Sequence, residues 1–219
     1  MPQPSPCREV FRLLLADDHA VLRDGLRAIL RDAGFEVVGE ASDGHEAIRL
    51  CEELRPDIAV VDIAMPLLNG IDAARQMLKV SPETKIIALS MYAENRYVLA
   101  CLRAGIVGYV IKSMAGSKLI EAIHAVRKGE IYLSPGVSRG LVDAYLAKDD
   151  TPVDVLSIRE REVLQLIVEG KNVKEIGGIL GISTKTAESH RTNIMEKLNI
   201  HEIAGLVRYA IREGIVGPP

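Results

Sequence analysis

Within its first 130 residues the chain carries five short apolar runs: FRLLLA (11–16), FEVVGE (35–40), DIAVVD (57–62), KIIALS (85–90) and GYVIK (108–112). Between and after them, apolar residues recur at helical spacing. Val21, Leu22, Leu26, Ile29 and Leu30 follow the first run; Ala47, Ile48, Leu50 and Leu54 the second; Ile71, Ala74, Met77 and Leu78 the third. A helix around residues 97–104 follows the fourth, and Leu119, Ile120, Ile123 and Val126 mark one after the fifth. Runs this apolar suit strands buried on both faces, and strands alternating with helices imply a parallel sheet with right-handed crossovers. The expectation is an α/β doubly wound, five-stranded parallel sheet.

After Gly129 the pattern changes. Ser134-Pro135 has the form of a helix N-cap with proline at the first position, and Val137, Leu141, Val142, Tyr145 and Leu146 suggest a short amphipathic helix. AKDDTPVD (147–154) is polar and broken by proline, the best linker candidate. From residue 154 onward no strand pattern remains, and the segment reads as four helices. Ser157 to Glu160 forms a capping box, and Asn172 to Glu175 has a similar shape; Gly181 and Gly214 mark stops and Ser183 a further cap. The chain therefore divides into a disordered N-terminus (1–10), an α/β domain (11–133), a linker with a short helix then a flexible segment (134–153) and a small all-α domain (154–219).

Composition excludes several classes. The net charge of −3 does not suit a polycation that coats nucleic acid. There is no apolar run long enough to span a membrane, and MPQPSPCREVFR lacks the apolar core of a secretory leader. Cys7, Cys51 and Cys101 form no paired motif and fit a reducing cytoplasm. No tryptophan and two phenylalanines leave few rings for stacking on single-stranded bases.

In open parallel sheets, ligands sit at the carboxyl ends of the strands near a topological switch point. At those ends stand Asp17-Asp18, Asp62, Ser90 and Lys112. Crowded carboxylates repel unless a hard cation bridges them, and Mg²⁺ accepts a few carboxylates while keeping waters for phosphate oxygens. An aspartate can attack a phosphoryl donor, with the metal and a lysine neutralising the transferred charge. Singly, each residue could be a turn former or helix cap; together, at the right strand ends, they point to phosphoryl chemistry. His19 could be a metal ligand, though a loop or helix-start residue is preferred; His45 and His124 fall on helices without a partner pattern.

On the Asp17-Asp18 pair, Asp62 after DIAVV, Met65-Pro66, Gly70, Ser90 and Lys112, residues 11–130 resemble the receiver domain of two-component response regulators, a flavodoxin-like fold. The resemblance implies Asp62 as phosphoacceptor, with Lys112 and Ser90 assisting. It implies Mg²⁺ on Asp17, Asp18, Asp62 and the backbone carbonyl of Ala64, and Ser90 and Tyr109 as a switch pair. Tyr109 is equally a candidate packing aromatic. Where many receivers carry proline after the lysine, this chain has Ser113.

In the helical half, Leu156, Val163, Leu164, Ile167 and Val168 form one apolar face, and Ile176, Ile179 and Leu180 another. A tight Gly181-Ile182-Ser183 turn leads to a helix with Ala187, Ile194 and Leu198 on one side and Lys185, Glu188, Ser189, Thr192 and Glu196 on the other. That is a helix-turn-helix arrangement, its polar side chains able to reach base edges and Lys185 and Arg191 able to reach phosphates. Residues 154–219 carry nine basic and nine acidic residues, so strong non-specific DNA binding is not expected.

Residues 156–200, through REREVL, KEI, GIS, the threonine and histidine of TAESH and NIMEKL, resemble a LuxR-type helix-turn-helix. With the receiver, this identifies a resemblance to the NarL/FixJ subfamily of response regulators. The resemblance implies a DNA-facing helix bearing Thr184, Lys185, Glu188, Ser189, Arg191 and Thr192, and a last helix, about 202–213, that helps pair two output domains. Members often have Val-Lys where this chain has Ala187-Glu188, so the operator sequence does not carry over. Gly177-Gly178 inside a helix costs up to about 1 kcal/mol per glycine; close helix approach or a less stable output domain would account for it. His190 either touches a phosphate or packs beneath the helix.

The expected function is a cytoplasmic transcription regulator, a phosphoacceptor rather than an enzyme, with no membrane contact. Its implied partners are a sensor histidine kinase, double-stranded DNA and, on phosphorylation, a second copy of the chain. An aspartate-nucleophile phosphatase is the enzyme alternative, but it would want an acid where Ala64 stands. A constitutive DNA binder with a dimerising receiver is the other.

Overall fold

The computed structural model describes residues 11–137 and 155–217. The first span is a sheet in the order β2-β1-β3-β4-β5-β6, all pairs parallel. Its strands are β1 (Arg12–Ala16), β2 (Glu36–Ala41), β3 (Ile58–Asp62), β4 (Lys85–Ser90), β5 (Gly108–Ile111) and β6 (Tyr132–Leu133). Helices α1 (Ala20–Asp32), α2 (Gly44–Leu54), α3 (Gly70–Val80), α4 (Asn95–Arg103) and α5 (Ala115–Arg127) alternate with them.

The five expected strands are present, but the sheet has six. β6 pairs with β5 over two residues, too short to show a period. Ser134 fixes it: its amide donates to Tyr109 O at 2.9 Å, and its hydroxyl accepts from the Ile111 amide at 3.1 Å. The hydroxyl read as a helix cap is thus bound to the sheet. Residues 135–137, where that helix was expected to begin, form a turn instead; the rest of the expected helix and linker, 138–153, and the N-terminus to residue 10 lie outside the described residues.

β3 is buried at every position, as its unbroken apolar run demands. One apolar cluster fills each face of the sheet, with Leu14, Val61, Met77 and Ile86 on one side and Leu13, Val60, Leu89 and Leu119 on the other. The sheet order reverses between β1 and β3, which places the carboxyl ends of those two strands side by side.

The second span holds α6 (Ile158–Val168), α7 (Val173–Leu180), α8 (Thr184–Leu198) and α9 (Ile203–Arg212) around a third cluster that includes Val163, Leu164, Ile176, Ile194 and Leu206. Both expected capping boxes form. Gly177 is where α7 meets the turn: a Cβ there would sit 2.9 Å from Ile182 O, whereas Gly178 faces open space. Close approach therefore explains the first glycine and not the second.

Helix α6 is buried on its polar side as well. Glu160, Arg161, Glu162 and Gln165 are all buried, the last three against the receiver-like domain. The Arg161 guanidinium sits 2.9 and 3.1 Å from the carboxylate oxygens of Asp72, and Gln76 donates to Glu162 at 2.9 Å. Asp72 also receives Arg75 at 2.8 Å and the Asn69 side-chain Nδ2 at 2.9 Å, so this buried carboxylate is compensated.

Candidate functional site

Asp17 and Asp18 follow β1, Asp62 ends β3 and Lys112 follows β5, and the fold brings them to one rim. Carboxylate oxygens of Asp17, Asp18 and Asp62 and a ring nitrogen of His19 lie within 4.8 Å of one another. His19, the residue before α1, makes no side-chain cap, and its Nδ1 sits 2.8 Å from Asp18 and 3.2 Å from Asp17. The Lys112 ammonium reaches Asp62 Oδ2 at 2.7 Å and Asp17 Oδ2 at 2.8 Å.

Asp62 is 1 % exposed. Burial pushes its carboxyl above the usual range; the Lys112 ammonium offsets part of this, while Asp17 adds to it. Burial opposes the charge on Lys112, but Asp62 and Asp17 outweigh it and raise its pKa. The Ala64 amide donates to Asp62 Oδ1 at 3.1 Å. Gly70, which opens α3, has no room for a side chain: a Cβ would lie 2.0 Å from the Asp62 carbonyl oxygen. Three carboxylates facing one ammonium leave excess negative charge, and the donor set, mostly hard oxygen, fits a divalent cation.

Ser90 ends β4 beside this cleft. Its hydroxyl donates to Tyr92 O at 3.2 Å and accepts from the Tyr92 amide at 2.9 Å. Tyr109 is buried, and its hydroxyl donates to the same Tyr92 carbonyl at 2.6 Å. Burial raises its pKa, so it stays a donor. Ser90 and Tyr109 thus converge on one backbone group. The Tyr92 ring stacks on Tyr97, with centroids 4.7 Å apart; a side chain at Gly217 would collide with the Tyr92 hydroxyl, and a Cβ at Gly214 would press on the Tyr97 ring at 3.1 Å.

In the helical domain, Gly181 adopts φ +64° and ends α7, and Ser183 caps α8 by accepting from the Thr186 amide. Ala187 and Ile194 point into the core, while Thr184, Lys185, Glu188, Ser189 and Thr192 are exposed. Arg191 is half-buried, 3.6 Å from Glu188, and Ser189 donates back to Lys185 O. His190 is half-buried.

Sequence reasoning missed the polar seam between the domains. None of Asn69, Asp72, Gln76, Arg161, Glu162 and Gln165 stood out as a contact residue, because polar side chains on helices and their caps carry no local mark of burial.

The family described as response regulator receiver domain matches residues 13–124, and that described as bacterial regulatory proteins, luxR family, matches residues 154–210. The oxygen regulatory protein NreC of Staphylococcus carnosus is 36% identical over 215 residues, covering 94% of this chain and 99% of NreC. The response regulator UvrY of Escherichia coli is 34% identical over 209 residues, covering 94% of this chain and 96% of UvrY. Among solved structures, an RcsB response regulator of Salmonella typhimurium aligns with a TM-score of 0.62 at 31% identity, covering 93% of this chain and 98% of that one. An RcsB–DNA complex aligns at 0.56 and 30% identity, covering 93% and 98%. With a receiver rim of aspartates on one domain and a helix-turn-helix on the other, the chain belongs to the NarL/FixJ subfamily of two-component response regulators, the phosphorylation-controlled, DNA-binding regulators of transcription.

Proposed function

We propose that Asp62 is the phosphoacceptor and that a sensor histidine kinase is its donor. The observation that carries this reading is the Lys112 ammonium held between Asp62 and Asp17 at the switch point of the sheet. An Asp62 oxygen attacks phosphorus, the phosphohistidine N–P bond breaks, and the imidazole leaves with its electron pair. Lys112 stays on the transferred group and balances its charge. Asp17, Asp18, Asp62 and the backbone carbonyl of Ala64 would hold Mg²⁺, which would supply positive charge between the carboxylates and the incoming phosphoryl oxygens.

Ser90 then turns its hydroxyl from Tyr92 to the acyl phosphate. That removes one of the two holds on the Tyr92 backbone, leaving the Tyr109 hydroxyl as the other, and biases a pre-existing equilibrium. Two chains pair, and their α8 helices enter successive major grooves through Thr184, Lys185, Glu188, Ser189, Arg191 and Thr192. No helix among the described residues is long and apolar enough to cross a membrane; the reading places the protein in the cytoplasm. The chain is a phosphoacceptor, not an enzyme acting on a separate substrate: Ala64 stands where such an enzyme needs an acid.

The test is solution mass with Mg²⁺ and beryllofluoride, a phosphoryl mimic, on wild type and Asp62→Asn. A monomer-to-dimer shift in wild type alone is expected, with loss of phosphodonor labelling in the variant. Retained labelling of Asp62→Asn sinks the assignment. The open face of α8 gives a second reading some footing: DNA binding with no response to the mimic would mark a constitutive binder.

A further inference from the structure

The segment between Asp62 and α3 is held by the other domain. Gln165 of α6, 1 % exposed, donates through Nε2 to Met65 O at 3.0 Å and accepts through Oε1 from the Asn69 amide at 2.7 Å and the Asn69 side chain at 3.1 Å. Its Nε2 also donates to Glu169 at 2.8 Å, and Glu169 accepts from the Leu67 amide at 3.2 and 3.4 Å. Positions 65, 67 and 69 are thus all tied to one helix end of the output domain.

The loop needs the support. Leu67 has φ +66°, a left-handed backbone that bulky side chains rarely adopt and that persists only when surroundings impose it. Its side chain packs on the output-domain core. Ala64, whose amide binds Asp62, lies at the head of this loop. A cavity of about 420 Å³ opens where the domains meet, and Asp18, Ala64, Met65, Gln165, Glu169 and Lys171 help line it.

We propose that Gln165 is a positioning residue of the phosphorylation site: from the output domain, it pre-shapes the loop bearing Ala64 to bind the divalent cation. The inference rests on the reading of Asp17, Asp18, Asp62 and Ala64 as the cation's ligands. Groups hydrogen-bonded to a metal's ligands fix their orientation, and losing one costs about 10–100-fold in affinity; Gln165 acts one residue further out, through the Met65 carbonyl next to Ala64. A loop ordered beforehand spares the binding step that ordering.

The experiment is an Mg²⁺ titration of the full chain, followed by the backbone amide NMR signals of Asp62 and Ala64, with domain separation measured by small-angle scattering. The variants are Gln165→Ala and Gln165→Met, the second keeping the volume and so the packing. Affinity weaker by up to about tenfold, the low end of the effect for a group bonded directly to a ligand, is expected in both. If Gln165 merely docks the domains, separation changes while Mg²⁺ affinity does not, and the proposal falls. Tighter binding in either variant overturns it too. Wild type that binds no Mg²⁺ overturns the site reading itself; wild type that binds, with Gln165→Met unchanged, overturns the positioning role alone.

Discussion

Helix α6 is buried on two sides by two kinds of chemistry. Val163, Leu164 and Ile167 sink into the apolar core of their own domain. Arg161, Glu162 and Gln165 meet the receiver through hydrogen bonds and an ion pair. The apolar side has no substitute for its contacts in water, so separating it unfolds the domain. On the polar side each bond can be exchanged for one to water, so the net cost of parting is small beside the gross strength of the bonds. A permanent contact and a reversible one are written in different residues on the same three turns.

The largest test of this contrast is Leu164→Ala. It should cost the output domain roughly 2–5 kcal/mol, read by denaturant unfolding. Arg161→Ala should leave that domain's stability within about 1 kcal/mol while enlarging the radius of gyration as the seam opens. An output domain as damaged by Arg161→Ala as by Leu164→Ala would erase the distinction. Smaller still, Gly178→Ala should stabilise the output domain by up to about 1 kcal/mol, because it faces open space. Gly177→Ala should show no gain, since its Cβ meets Ile182 O; equal melting shifts for the two would refute the close approach.

The smallest expected effect is acid sensitivity at Glu160. Burial alone would raise its carboxyl, but the Lys197 ammonium and the Ser157 backbone and hydroxyl hold it below its ordinary value of 4.5. A depressed carboxylate stabilises above its unfolded pKa, and the gain is lost as pH falls through the folded one. Melts of wild type and Glu160→Gln should therefore differ at neutral pH and converge below pH 4.5. A constant gap would show that the carboxylate charge is not what stabilises.

The same contrast explains what could be read in advance. The gathering of Asp17, Asp18, Asp62 and Lys112 at one rim, with Ser90 at the end of β4, was legible because strands buried on both faces announce where they end. Thr184 to Thr192 were legible because a turn and an apolar stripe define the opposite face. β6 was not, since Tyr132 and Leu133 are too few to show alternation. Nor were Arg161 and Gln165: on one helix, a polar residue that faces water and one that faces another domain's polar residues look alike. Their burial depends on Met65, Asn69 and Asp72, about ninety residues or more away in the chain.

The meeting of Ser90 and Tyr109 at the Tyr92 carbonyl also gives the molecule its own optical reporter. The chain has no tryptophan and six tyrosines. Three of the six, Tyr92, Tyr97 and Tyr109, lie together here, two with stacked rings and one with its hydroxyl on a backbone carbonyl. Ultraviolet emission and near-ultraviolet dichroism of the unlabelled protein are therefore weighted towards the place where the receiver would change state, and a rearrangement there can be followed in real time without a dye.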